Sequence, residues 1–262
     1  MTRIVCGLEY DGSAYRGWQR QLATNTPTVQ GALEKALSFV ANQPVDVVCA
    51  GRTDCGVHAT SQVIHFDTTV ARSHRSWLMG GNANMPADVR LQWVREASED
   101  FHARFSAISR SYRYVIYNHT LASAILRSRV CWERQALDET RMADAASYLV
   151  GEHDFTSFRA RACQANRPVR TITRLQVTRQ GQFVYLDIDA NAFLYHMVRN
   201  IAGALLEVGR GEREPEWIAE VLAQCDRDKI GITAPADGLY LVRVEYPADF
   251  DMSMSAYLPV YG

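Results

Sequence analysis

The order of its hydrophobic patterns constrains this chain most, because a strand–helix–strand succession occurs in each half of it. In the first half, apolar residues follow a helical stripe from Val29 to Val40, with Pro27 at the predicted first helical position. Strands are predicted at 3–11, 45–50, 61–67 and 89–95. The mixture of both periodicities indicates a protein in which strands and helices share one core.

The second half follows the same plan. Asp138 caps one predicted helix, residues 193–208 form another, and Pro215 opens a third. Strands are predicted at 110–117, 169–179, 182–190 and 239–246. This succession predicts an α+β fold with two ferredoxin-like or RRM-like halves, 1–105 and 106–262, joined into a central mixed, mainly antiparallel sheet with flanking helices.

Composition narrows the class of protein. The 262 residues are 47% hydrophobic and 22% charged with a net charge of -1, which is typical of a globular chain rather than a disordered one. Apolar runs stay far below the ~20 residues that span a bilayer, and no signal peptide is evident, so we expect a cytoplasmic protein. The six cysteines and seven histidines lack metal-ligand spacing, so no metal site is predicted.

Basic residues cluster in two stretches. All but Lys35 and Lys229 are arginine, a residue suited to bidentate phosphate contacts, although a GC-rich genome would give the same bias. The first cluster contains Arg104, Arg110, Arg113, Arg127, Arg129 and Arg134. The second, free of acidic residues, contains Arg159, Arg161, Arg167, Arg170, Arg174 and Arg179. Two such clusters on a nearly neutral chain predict a polyanionic partner.

The most informative motif is the loop from Gly51 to Ala59, directly after a predicted buried strand. Its two glycines permit a tight turn, and Arg52 and Asp54 lie between them. Taken alone, this pattern also suits an Asx-type turn in which the carboxylate accepts backbone N–H groups. The loop sequence, GRTDCGVHA, is therefore weighed together with the rest of the chain.

Nine further blocks accompany this loop in order. They are LEYDG at 8–12, YRGWQ at 15–19, TVQG at 28–31, NANMP at 82–86, FHARF at 101–105, YRY at 112–114, GEHDF at 151–155, FLYHMVRN at 193–200, and Ala234–Pro235 with Gly238–Leu239. Together they resemble the tRNA pseudouridine synthase A family nearly from end to end. The resemblance implies an isomerase that converts uridines 38, 39 and 40 of the tRNA anticodon stem-loop to pseudouridine. Cys55 departs from the alanine usual in that family.

The resemblance implies a catalytic group divided between the halves. Asp54 is the implied nucleophile in the N-terminal half, with Arg52 occupying the space of the flipped base. Tyr112 is implied to stack on the uracil and take up a proton, Arg199 to pair with Asp54, and Leu239 to floor the pocket. Each also has a structural explanation: Arg52 forms a surface pair with Asp54, Tyr112 and Leu239 fill strands, and Arg199 is an exposed helix residue.

Other residues are implied to contact tRNA. His58 either contacts the RNA or only ends the loop. The remaining predicted contacts are Phe101, His102, Ala103, Arg104 and Phe105 in one segment, and Ala162, Cys163, Gln164, Ala165 and Asn166 in another. The family implies a homodimer with one tRNA spanning both subunits, and no cofactor is required because the reaction is an isomerisation.

Two alternatives belong to other classes. A non-catalytic RNA-binding protein with two RRM-like units explains the arginines, but a carboxylate facing phosphates weakens binding, and no aromatic RRM strand motif is present. A glycosidase usually needs two carboxylates at a set spacing, and only Asp54 lies in a motif.

Overall fold

The computed structural model describes residues 1–21, 26–252 and 258–261, which form two compact units. The first unit contains Met1–Ile108 and Tyr240–Leu258, and the second contains Ser109–Leu239 and Pro259–Gly262. Each unit combines a mainly antiparallel sheet with helices, which confirms the α+β class. The division at residue 105 stays a prediction.

Ten strands and five α-helices occur in the described part of the chain. The strands are β1 (Thr2–Tyr10), β2 (Val48–Cys49), β3 (His58–Thr68), β4 (Val89–Ala97), β5 (Ser109–Asn118), β6 (Cys131–Glu133), β7 (Gly151–Asp154), β8 (Val169–Gln180), β9 (Phe183–Ala190) and β10 (Leu239–Glu245). The helices are α1 (Val29–Ala41), α2 (His74–Asn84), α3 (Glu139–Ser147), α4 (Met197–Gly209) and α5 (Trp217–Gln224). None of these helices is long and apolar enough to cross a membrane.

In the first unit, the sheet order is β4-β1-β3-β10, and the short β2 pairs with the same strand β3. Strand β1 is antiparallel to both of its neighbours, whereas β10 runs parallel to β3. Five consecutive residues of β1, from Ile4 to Leu8, are buried, because this strand has a partner on each side and side chains packed on both faces. Helix α2 packs against α1 and β4.

The predicted start of α1 at Pro27 is wrong by two residues. Thr28 has an extended backbone and its hydroxyl accepts the N–H of Gly31 at 3.3 Å, so it caps the helix and Val29 begins it. The capping bond satisfies a donor that the first turn would otherwise leave unpaired, which outweighs the preference of proline for the first position. The predicted strand at 45–50 is ladder-paired only at Val48 and Cys49.

In the second unit, the sheet order is β5-β9-β8-β7, all antiparallel, with β6 parallel to β5. The hairpin of β8 and β9 turns at Gly181, whose φ of 56° belongs to the left-handed region that favours glycine. Helix α3 packs on β8 and on α4. Tyr112 lies on β5 opposite Ile188 of β9, so the unit's central strand pair holds a residue of the predicted site.

One arginine of the first basic cluster is buried in this sheet. Arg113 binds Asp187 of β9 through two hydrogen bonds of 2.7 Å and lies 4.7 Å from the ring centre of Tyr185. Its remaining nitrogen donates to the carbonyl of Pro259 at 3.3 Å. A buried guanidinium needs such partners because its desolvation is costly. Arg113 is thus occupied inside the protein and is not a phosphate-binding residue of the cluster.

Candidate active site

The loop after β2 forms a tight turn around Asp54. The carbonyl of Asp54 accepts the N–H of Val57 at 3.2 Å, and Gly56 between them has a φ of 81°. That backbone conformation strains any residue with a Cβ, which explains the second glycine of the motif. Thr53 is buried, whereas Arg52 and Cys55 are exposed and Asp54 is half-buried. The carboxylate therefore lies where substrate can reach it.

A second loop, residues 11–18, holds this turn from the side. The carbonyl of Thr53 accepts the N–H of Trp18 at 3.0 Å, and the carbonyl of Tyr15 accepts the N–H of Gly56 at 3.4 Å. Gly17 has a φ of 95°, and a Cβ there would lie 3.0 Å from the carbonyl oxygen of Thr53. The YRGWQ block thus includes a glycine because another backbone passes directly over it.

His58 lies at the end of the loop, where β3 begins, and is buried in the first unit. Its Nδ1 accepts the N–H of Gly12 at 3.0 Å, and its ring stacks on Tyr240 with centres 4.6 Å apart. Only 2% of His58 is exposed. These contacts favour the loop-ending role over an RNA contact, and the RNA contact stays a prediction.

Of the predicted residues of the second unit, Arg199 binds the segment from Ala234 to Leu239, and Leu239 ends that segment. Arg199, in the first turn of α4, donates from Nε to the carbonyl of Ala234 at 2.9 Å, and its own carbonyl accepts the N–H of Ala234 at 3.1 Å. The hydroxyl of Tyr114 donates to the carbonyl of Pro235 at 2.8 Å. The N–H of Val115 donates to the carbonyl of Gly238 at 2.8 Å. The segment therefore links β5 to the start of α4.

Tyr112 and Leu239 are the other two predicted residues of the second unit. Tyr112 is 9% exposed, and its ring packs edge-to-face with that of Phe193, with ring centres 5.0 Å apart. Leu239 is buried, and its N–H donates to the carbonyl of Ala236 at 2.8 Å. Edge-to-face packing is a preferred geometry of aromatic pairs, so Phe193 helps to fix the orientation of the Tyr112 ring. Phe193 was not predicted as a site residue, although it is the first residue of the FLYHMVRN block.

The FHARF segment is rigidly held in the first unit. Phe101 and Ala103 are fully buried, so the surface that RNA can reach there belongs to His102, Arg104 and Phe105. Nδ1 of His102 accepts the N–H groups of Arg104 and Phe105 at 3.2 and 3.1 Å. Phe105 is 75% exposed, with its ring stacked on His102 at 4.3 Å and Arg104 over it at 5.4 Å. An exposed aromatic ring beside a cation suits stacking on a nucleobase.

His65, on β3 beneath this segment, was not found from the sequence. Its Nδ1 accepts the N–H of Ala103 at 3.1 Å. Burial and the charge of Arg3 lower the pKa of His65 to about 4, so the ring stays neutral and keeps its acceptor. The carbonyl of Ala103 accepts the hydroxyl of Tyr246 at 2.7 Å, and that of Phe101 accepts from Arg3, also at 2.7 Å. Bonds to both sides of the segment explain its fixed shape.

The segment from Ala162 to Asn166 lies beside an exposed ion pair. Arg161, 79% exposed, binds Asp228, while the segment itself alternates between exposed and half-buried residues. Within the second cluster, Arg179 is occupied by Glu139 at 2.7 Å and by the carbonyl of Leu137 at 2.6 Å. Arg161, Arg167 and Arg174 are exposed, so these are the cations of the cluster that a phosphate can reach.

No group of three or more His, Cys, Asp or Glu side chains in residues 1–21, 26–252 and 258–261 is arranged to hold a metal ion. Cys49, two residues before the loop, is buried, and burial raises the pKa of its thiol to about 12. Cys55 is exposed and reduced. A buried neutral thiol behaves as a small apolar side chain, so Cys49 serves the packing of the loop's base.

Comparison with known proteins supplies the context for these residues. A family described as tRNA pseudouridine synthase matches residues 8–106 and 145–247. A tRNA pseudouridine synthase A from Vibrio parahaemolyticus is 56% identical over 250 residues, covering 95% of this chain and 94% of the relative. Proteins of the same name from Shewanella piezotolerans and Coxiella burnetii are 54% and 53% identical, covering 99% and 96% of this chain and 98% and 96% of the relatives.

We expect His65 to make stability depend on pH. Its pKa in the folded protein lies below the ordinary value of 6.5, so between these values the unfolded chain binds a proton that the folded chain does not. The stability contribution is therefore complete above pH 6.5 and is lost as the pH falls toward 4. Urea unfolding at pH 7 and pH 5 should show a smaller pH-dependent loss in His65→Gln than in the wild type. An identical loss in both proteins would contradict this.

Proposed function

The chain belongs to the tRNA pseudouridine synthase family, and from that premise we propose that it isomerises uridines 38, 39 and 40 in the anticodon stem-loop, acting as a cytoplasmic homodimer. The observation that carries the proposal is Asp54, a half-buried carboxylate on a turn held by backbone hydrogen bonds. A carboxylate placed on a rigid loop can act at a defined atom of a bound nucleotide. The alternative of a non-catalytic RNA-binding protein is not favoured, because the relatives carry an enzyme's name.

The reaction requires one ionised carboxylate and no net oxidation. The glycosidic bond from N1 of uracil to C1′ of ribose breaks, the base rotates, and a bond from C5 to C1′ forms. The C5 proton is lost and N1 takes up a proton, so the product is an isomer of the substrate. The Asp54 carboxylate adds to C1′ or to the base, or removes a sugar proton, and these three routes remain open. In each of them the carboxylate must be ionised when the uridine is bound, which is the role proposed for the Arg199 cation.

The other proposed roles follow from chemistry at the uracil. Tyr112 stacks on the base and accepts the C5 proton, with its ring held by Phe193 at 5.0 Å. Leu239 supplies an apolar floor, which suits the face of a pyrimidine. Arg52 is exposed, and we assign it to the space left by the flipped base, where it offsets an unstacking cost of a few kcal/mol.

Recognition of the tRNA is assigned to exposed cations and one aromatic platform. Arg104 and Phe105 in one segment, and Arg161 and Arg167 near the other, are exposed. Phosphate contacts orient an RNA without reading its sequence, while the shape of the stem-loop selects it. Such recognition suits an enzyme that acts at three adjacent positions.

Asp54→Asn should abolish pseudouridine formation while tRNA affinity stays within about tenfold, or 1.4 kcal/mol. The amide keeps the size of the side chain but cannot act as the nucleophile, and removing one anion does not weaken binding to a polyanion. Tritium release from tRNA labelled at uracil C5 measures turnover, and filter binding measures affinity. Glu9→Gln, which removes an acid elsewhere in the same unit, is the control. Residual turnover above about one percent in Asp54→Asn would refute the assignment.

Tyr112→Phe should separate stacking from proton transfer. The ring remains, so stacking worth about 1 to 3 kcal/mol persists and binding is nearly normal. Without the hydroxyl, the base rejoined through C5 keeps its proton, and turnover falls by about 10²-fold or more. Tyr112→Leu should lower both turnover and affinity. Tyr117→Phe is the matched control, because it removes one hydroxyl from the far end of the same strand. Wild-type turnover in Tyr112→Phe would leave Tyr112 only as a stacking residue.

If one tRNA spans two subunits, two defective variants should complement each other. Asp54→Asn lacks the nucleophile, and the double variant Arg161→Ala/Arg167→Ala lacks two proposed phosphate-binding cations. Random mixing of subunits makes half of the dimers mixed, and one of the two sites in each has an intact nucleophile and intact cations, so about a quarter of wild-type activity should return. The assay is tritium release after joint refolding of equal amounts.

The double variant also has a direct binding test. The slope of log affinity against log salt should fall by about 0.7 to 0.9 for each phosphate that the variant no longer neutralises. A double variant of the half-exposed Arg95 and Arg213, which lie outside both clusters, should leave the slope unchanged. Mixed subunits with no more activity than the two variants assayed separately would contradict the shared site.

A further inference from the structure

Gln62 is a polar residue in the core of the first unit to which the proposed mechanism assigns no role. It lies within β3 and has no exposed surface. Its Nε2 donates to the carbonyl of Gly51 at 2.6 Å, and its Oε1 accepts the N–H of Gly51 at 3.3 Å. Burying an amide is costly unless its bonds are made. Both polar atoms of the Gln62 side chain bond to Gly51, the first residue of the loop that carries Asp54.

These bonds lie at the point where the chain leaves the sheet and the loop begins. The N–H of Ala50 donates to the carbonyl of Val63 at 2.8 Å, a main-chain bond that joins this segment to β3 just before the loop begins. At Gly51 the backbone leaves the strand, and the side chain of Gln62 takes the place of a main-chain partner for both of its polar groups. The loop is thereby anchored one residue beyond Ala50.

A second anchor follows two residues later. The hydroxyl of Tyr10 on β1 lies 2.8 Å from Oγ1 of Thr53 and 3.4 Å from Nε2 of Gln62. Gln62, Tyr10 and Thr53 thus form one buried hydrogen-bonded chain from β3 through β1 to the residue before Asp54. With Gly51 and Thr53 both fixed, the Cα atom of Asp54 has little freedom to move.

We propose that Gln62, acting with the hydroxyl of Tyr10, is a positioning residue for the Asp54 carboxylate. The inference rests on the proposed role of Asp54 as nucleophile. Placement of a reacting group matters steeply, because an error of about 1 Å can reduce turnover about 10²-fold. A positioning residue that touches no substrate should therefore affect kcat and leave KM for tRNA nearly unchanged.

The first unit offers a matched control in Asn82 on α2. Its Nδ2 donates to the carbonyl of Leu91 at 2.9 Å, and its Oδ1 accepts the N–H of the same residue at 2.8 Å. The bonding pattern equals that of Gln62 on Gly51, but it joins α2 to β4 rather than anchoring the loop. Gln62→Met and Asn82→Leu each replace an amide by an apolar side chain of similar size and remove two bonds to the backbone of one residue. Gln62→Met also removes the 3.4 Å bond to the Tyr10 hydroxyl.

The experiment measures kcat, KM and melting temperature for Gln62→Met, Tyr10→Phe and Asn82→Leu. We expect kcat to fall about 10- to 10²-fold in Gln62→Met with KM changed less than about threefold, and about tenfold in Tyr10→Phe. Asn82→Leu should keep wild-type kcat even if its melting temperature falls as much. Equal kcat in Gln62→Met and Asn82→Leu, or losses that follow melting temperature alone, would overturn the proposal.

Two further outcomes are decided by the other variants. If Gln62→Met does not fold, Tyr10→Phe decides, because it removes one oxygen and keeps the ring; wild-type kcat in that variant would then reject the proposal. Asp54→Asn separates the two levels of inference. Turnover in Asp54→Asn would reject the nucleophile itself, whereas an inactive Asp54→Asn with fully active Gln62→Met and Tyr10→Phe would reject only the positioning role.

Discussion

The structure depends on how a loop with few apolar side chains is held in place around Asp54. The turn from Gly51 to Val57 is held by hydrogen bonds to its backbone, from loop 11–18 on one side and from β3 on the other. Backbone bonds restrain the chain without consuming the side chains. Arg52 and Asp54 can therefore project from the loop, while hydrogen bonds to the loop backbone hold it in place.

The same principle governs the FHARF segment. Phe101 anchors it in the core, and His65, Tyr246 and Arg3 occupy its main-chain groups. This leaves Phe105 exposed on a backbone that is already ordered. An exposed phenylalanine on a flexible loop would lose conformational entropy on binding, whereas one on an ordered backbone loses little. Rigidity beneath the surface thus makes an exposed aromatic ring useful for recognition.

Sequence alone predicted the long elements well and the short ones poorly. Strands β1, β5, β8 and β9 were predicted because each is eight or more residues long and rich in β-branched and aromatic residues. Helix α2 was not predicted, since only Trp77 and Gly81 of its eleven residues are buried and it lacks a clear stripe. The three residues of β6 and four of β7 are too short for any periodicity to appear.

The sequence predicted only those residues of the candidate site that lie in recognisable motifs. Charge counting placed Arg113 and Arg179 among the phosphate-binding arginines, but Asp187 and Glu139 occupy them, because the sequence does not reveal which acids a later strand or helix brings close. His65 and Gln62 have no motif of their own, since each is one of several polar residues spread along β3. The role of such a residue becomes visible only when the structure shows its partner.

If Asp54 is the nucleophile and uridines 38, 39 and 40 are its targets, as proposed, the variability must lie in the RNA rather than in the loop. Adjacent nucleotides in a stem are related by a rise and a rotation, so different uridines can reach one carboxylate only if the RNA shifts or bends over the protein. A protein that moved its loop instead would lose the alignment that we propose for Gln62 and Tyr10. Exposed arginines suit this demand, because phosphate contacts have no sequence preference and can be exchanged between neighbouring phosphates at little cost.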